Sequence, residues 1–110
     1  MVKQTNGVAG GSITMLVLAL LKEKEMYGYQ IIDELEQRSN NVFQLKEGTL
    51  YPILHTLEKD KLVTGREQDT PNGRKRRYYY ITAQGLKALE DKKSEWGLYS
   101  SAVTAILAGV

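Results

Sequence analysis

The chain has 110 residues, 42% hydrophobic and 25% charged, which is enough for one ordinary folded domain or a small domain with an oligomerisation element. It holds no cysteine, which excludes a disulfide framework and a thiolate metal site. The one histidine, His55, has no carboxylates spaced to join it as ligands, so neither a metal nor any other cofactor is read.

Residues 1–11 carry three glycines and little periodicity, and read as a flexible arm. Ser12 is placed to cap a helix, because its hydroxyl can accept from free first-turn amides. After it, Ile13, Leu16, Val17, Leu20 and Leu21 recur at helical spacing, with Met15 and Leu18 off that stripe, so this helix should bury more than one face. The polar residues 22–25 end it. A second helix starts at Tyr27-Gly28-Tyr29 and turns Ile31, Ile32 and Leu35 inward. Asn40-Asn41 stop it, since asparagine tolerates left-handed backbone geometry. A third helix buries Leu50, Ile53 or Leu54, and Leu57. Pro52 puts its start near Gly48 or Thr49, unless one backbone bond is forgone.

Residues 62–68 suit a strand, Thr70-Pro71-Asn72-Gly73 is a turn signal, and residues 76–81 form the return strand. Thr82 caps a final helix from about Ala83 to Ala108. Along it Leu86, Leu89, Lys93, Trp96, Ser100, Val103 and Leu107 step by three or four, as a helix–helix seam does. The fold class expected is mainly α with a small β-hairpin (α+β). It divides into a winged helix-turn-helix over 12–82 and a dimerisation helix over 83–110.

The net charge of +2 conceals its placement. Residues 62–81 hold five basic side chains (Arg66, Arg74, Lys75, Arg76, Arg77) against two acidic ones (Glu67, Asp69), so all of the positive excess lies in the hairpin. A helix followed by a cationic hairpin can grip duplex DNA in two places, base edges in the major groove and phosphates alongside. Candidate DNA contacts are Thr49, Tyr51, Pro52 and His55 on the third helix, with Pro52 shaping the helix more than touching DNA. On the hairpin they are Arg74, Lys75 and Arg76. Arg77, nearest the strand, is open to two readings, a phosphate contact like its neighbours' or a pair with an acidic residue of the fold. Tyr79 and Ile81 should close the core, with Tyr78 and Tyr80 more exposed. Trp96, Leu89 and Val103 mark the dimer seam, with Trp96 as its aromatic anchor.

No nucleophile–base pair or phosphate-cradling glycine loop is present, so an enzyme is not expected. The most apolar stretch, 13–21, is far shorter than the roughly 20 residues that span a bilayer. No leader pattern precedes it, so the cytoplasm is expected. The alternative to a DNA-binding regulator is a winged-helix module for an acidic protein partner.

Met26-Tyr27-Gly28-Tyr29-Gln30-Ile31, Gly48-Thr49-Leu50-Tyr51-Pro52-Ile53-Leu54, Leu57-Glu58, Leu62-Val63 and the run from Arg76 to Gly85 together resemble the PadR family of bacterial transcriptional regulators. The resemblance covers about Ile13 to Leu89 and looks like the short-tailed type, with one C-terminal helix. It implies a homodimeric DNA-binding repressor that a small hydrophobic effector releases, with Trp96 lining a pocket between subunits. Two positions depart from the family pattern. Asp60-Lys61 stands where a glycine is usual, so the turn there is expected to differ, and Thr56 stands where a basic residue is frequent.

Overall fold

The computed structural model describes residues 6–109. Four helices and three short strands follow in the order α1 (Asn6–Glu23), β1 (Met26–Tyr27), α2 (Gly28–Arg38), α3 (Glu47–Lys59), β2 (Val63–Asp69), β3 (Lys75–Ile81) and α4 (Ala83–Ala108). This is the α+β architecture expected, a winged helix-turn-helix with a long last helix.

Three local readings change. α1 begins at Asn6, so Ser12 lies inside the helix and the arm expected over 1–11 is helical from Asn6 onward; residues 1–5 lie outside the described residues. Glycine lowers helix propensity but keeps its N–H, so the ladder can run through it. α3 begins at Glu47, one residue ahead of the expected start, and Pro52 stands in its second turn, forgoing the bond to the Gly48 carbonyl. Finally, the hairpin is a three-stranded antiparallel sheet in the order β1-β3-β2. Met26 pairs with Tyr79 and Tyr27 with Tyr78. A two-residue strand is too short to leave an alternating pattern in the sequence.

Two helices end in the same way without a glycine. After α2 the Asn41 amide donates to the Glu36 carbonyl (2.9 Å) and the Asn40 amide to that of Gln37 (3.3 Å). After α3 the Leu62 amide donates to Leu57 (2.9 Å) and the Lys61 amide to Glu58 (3.0 Å). Both are Schellman closures, which need a left-handed residue just past the helix. Asn40 (φ 52°), Asn41 (φ 70°) and Lys61 (φ 63°) supply it. The turn at Asp60-Lys61 therefore keeps the glycine geometry, with a lysine bearing the strain. Lys61→Gly should raise stability by about 0.5–1 kcal/mol, since left-handed strain of about 1–2 kcal/mol is relieved against a smaller entropy cost. A Tm gain of about 4 °C in a thermal melt would register it.

The core is one cluster drawn from every element. Val17 and Leu18 of α1, Met26 of β1, Ile31 of α2, Leu50 and Leu54 of α3, and Leu89 of α4 are closed to solvent. Leu18 lies off the main stripe of α1 yet is fully buried, so this helix does bury two faces. At the far end of α1, Arg38 of α2 reaches both carboxylate oxygens of Glu23 (2.7 and 2.8 Å) and also Glu34 (2.7 Å). The hydrogen bonds from Arg38 hold the Glu23 carboxyl below its usual range.

Thr82 joins the wing to α4. Its hydroxyl accepts from the Gly85 amide (3.0 Å) and lies within reach of the carbonyls of Lys61 (2.8 Å) and Leu62 (3.0 Å). Leu89, expected on the dimer seam, is instead buried in the chain's own core. Beyond it α4 has no such cover: Trp96 is 42% exposed, Leu98 77%, Ile106 72% and Leu107 65%.

Candidate nucleic-acid interface

α3 has a core face of Leu50, Leu54 and Leu57 and an exposed face of Gly48, Thr49, Pro52, His55, Thr56 and Lys59. Thr49, Pro52 and His55 are thus solvent-facing, as expected. Lys59 joins them as a cation on the same face, a signal already present at helical spacing from His55.

Tyr51 is exposed as well, at 36%, and makes a contact with α2 besides. Its ring packs over the first residue of α2, where a Cβ on Gly28 would overlap the Tyr51 hydroxyl oxygen and stand 2.7 Å from the ring carbon that bears it. Burial, with the Glu47 carboxylate nearby, pushes the Tyr51 hydroxyl pKa up. Tyr51 therefore helps to set the angle between α2 and α3. The sequence holds both partners, Tyr27-Gly28-Tyr29 and Gly48-Thr49-Leu50-Tyr51, but gives no sign that they are one contact.

The wing is built by strand register. Val63 pairs with Ile81, Gly65 with Tyr79, Glu67 with Arg77 and Asp69 with Lys75, which puts all eight on one face of the sheet. Tyr79 is buried there and its hydroxyl pKa is raised, chiefly by that burial and then by Glu58. At the tip, the Thr70 and Gly73 backbones close the turn (2.9 Å) with Gly73 at φ 84°, and the Asn72 side-chain oxygen accepts from the Arg74 amide (3.2 Å).

The same alternation sorts the charges. On the inner face Lys75 pairs with Asp69 (2.9 Å) and Arg77 with Glu58 of α3 (2.6 Å). On the outer face Arg76 lies 4.3 Å above the Tyr27 ring and Arg66 lies 5.2 Å from that of Tyr80, while Tyr27 meets Tyr78 edge to face. No strand residue on this outer face is acidic. A guanidinium stacked on a ring still turns its N–H edge outward, so Arg66 and Arg76 keep the capacity to meet an anion. Arg74, at the tip, has no ion pair among the described residues. In the sequence Arg66 is one of five cations between residues 62 and 81. Its exposure follows from register, which the sequence does not state.

Farther off, Trp96 and Tyr99 place their ring centroids 5.8 Å apart on α4, and Val103 is partly exposed one turn beyond Tyr99. Among the described residues no group of His, Cys, Asp and Glu could hold a metal ion, and no helix is long and apolar enough to cross a membrane.

A helix-turn-helix with an exposed third-helix face and a cationic wing defines the winged-helix class. The profile of the transcriptional regulator PadR-like family matches residues 17–91. An uncharacterized protein of Lysinibacillus sphaericus is 36% identical over 100 residues, covering 91% of this chain and 92% of that one. A transcriptional regulator of Mycobacterium tuberculosis is 36% identical over 84 residues, 76% of this chain and 75% of its own. Among solved structures, a PadR-like transcriptional regulator of Bacillus cereus superposes with a TM-score of 0.77 at 34% identity, covering 89% of this chain and 93% of that one. The chain belongs to the PadR-like family of transcriptional regulators.

Proposed function

We propose that the protein is a sequence-specific DNA-binding repressor that acts as a homodimer on a pseudo-palindromic operator. The observation that carries this reading is the pairing of an exposed, polar α3 face with a wing whose Arg66, Arg74 and Arg76 have no acidic partner among the described residues. Thr49 and His55, with Lys59 beside them, contact base edges and nearby phosphates, Pro52 shapes the helix, and Arg74 and Arg76 neutralise backbone charge, joined by Lys75 where DNA draws it from Asp69. Two copies joined through α4 would set their third helices about one helical turn of DNA apart, roughly 34 Å. A small hydrophobic effector held near Trp96 between the subunits would change that spacing and release the DNA by favouring the other arrangement. A regulator of this kind works in the cytoplasm.

Selection of bound sequences from a random duplex pool tests affinity, symmetry and half-site spacing together. Recovery of no preferred sequence, with no sedimentation shift on adding duplex, would leave the alternative of a docking module for an acidic protein. Arg74→Ala/Arg76→Ala should flatten the dependence of log affinity on log salt by up to about 1.8, two contacts at about 0.9 each. A double variant with the parent's affinity and slope would remove the wing from the interface.

A further inference from the structure

Of the four consecutive cations at the end of the wing, Arg77 alone reaches back to α3. Its guanidinium meets the Glu58 carboxylate at 2.6 Å and lies 5.9 Å from the ring centroid of buried Tyr79. To get there it crosses the neighbouring strand at Gly65, where a Cβ would stand 2.6 Å from Arg77 Nε and 2.7 Å from its Cζ. The place matters mechanically. β1 pairs only with Tyr78 and Tyr79, so from Arg77 outward the wing is a two-stranded ribbon with no third strand beside it. Every residue of β2 beyond Gly65 is exposed, and such a ribbon is marginally stable by itself. The Glu58–Arg77 bridge stands at the root of that ribbon and ties it to the exposed third helix.

We infer that Glu58 and Arg77 form a latch, threaded over Gly65, that holds the wing at a fixed angle to α3 and withholds the Arg77 charge from bound DNA. Arg77 is thus a positioning residue, and the phosphate contacts belong to its neighbours. This rests on the DNA-binding reading above. It makes an unusual demand: removing the carboxylate, or blocking the path, should add a phosphate contact instead of deleting one.

The experiment compares the parent with Glu58→Gln, Gly65→Ala, Arg77→Gln and Arg77→Lys, using a duplex recovered by selection and a scrambled duplex. Glu58→Gln and Gly65→Ala both free Arg77, and Gly65→Ala does so with every charge retained. Each should steepen the salt dependence by up to about 0.9 and narrow the gap between selected and scrambled duplex. Arg77→Gln should weaken binding to the selected duplex about 5-fold, the scale of a partly exposed ion pair, with the slope of the parent. Arg77→Lys, which can still meet Glu58, should recover most of that loss.

A slope flattened by about 0.9 in Arg77→Gln would mean that Arg77 touches phosphate directly and would overturn the latch. So would affinities and slopes that match the parent throughout. If the parent prefers no duplex, the functional reading fails by itself, and the latch is judged in the free protein. Amide exchange across β2 and β3 should then quicken in Glu58→Gln, Gly65→Ala and Arg77→Gln, and unchanged exchange would sink it.

Discussion

Gly85→Ala should cost the protein about 3 kcal/mol or more and lower its Tm by over about 10 °C, the outcome of overpacking against atoms that cannot move aside. A Cβ there would overlap the Leu62 backbone carbonyl oxygen and lie 2.7 Å from Ile81 Cγ1. That carbonyl is not free to retreat. It accepts from the Thr82 amide (3.0 Å), and the Leu62 amide closes the Schellman turn of α3 (2.9 Å). The wing root, the end of α3 and the start of α4 converge at one crowded point. Gly97→Ala, in the same helix, provides the opposite expectation. A Cβ at Gly97 meets nothing within 4 Å, so alanine's better helix propensity should stabilise by about 0.5–1 kcal/mol. Thermal melts of the two variants moving apart from the parent would bear out the local geometry; a shared direction would contradict it.

The second large effect is expected at the far end of α4. Val103 and Leu107 are one turn apart on the helix and are 37% and 65% exposed. Val103→Asp/Leu107→Asp should leave the winged domain folded, since neither residue enters its core. On the proposed homodimer it should leave single chains in ultracentrifugation, because two aspartates on the proposed apolar interface oppose its desolvation. Affinity for a two-site duplex should fall by 100-fold or more as the second half-site loses its tether. A variant that remains dimeric, or binds as tightly when monomeric, would show that this stretch of α4 does not unite the two DNA-reading surfaces.

The sequence was most legible where one element dictates its own structure. The buried positions Ile31, Ile32 and Leu35, the ends of α4 and the left-handed Asn40-Asn41 stop all follow from periodicity or local backbone chemistry. For Arg77 the sequence leaves phosphate contact and ion pairing both open, and the pair with Glu58 is decided by the strand crossing at Gly65. What stayed hidden is what depends on register and on distant segments meeting. β1 is defined by β3, the seat of Tyr51 by Gly28, and the exposure of Arg66 by its place opposite Tyr78. Leu89 shows the same limit. A seam spacing fits both a partner helix and the chain's own core, and packing against α1 decides between them. At Lys61 the expectation of an altered turn failed because two hydrogen bonds and the burial of Leu57 favour the Schellman closure strongly enough for a lysine to adopt it.

The middle position of β3 has a mechanical consequence. Its one edge holds Met26 and Tyr27, the link between α1 and α2, and its other edge holds the whole of β2. α1, the helix packed along α4, is thus joined through β1 to the same strand that carries Lys75, Arg76 and Arg77. The strand is a shared spine: the linker at its one side and the cationic ribbon at its other hang on a single ladder of backbone bonds.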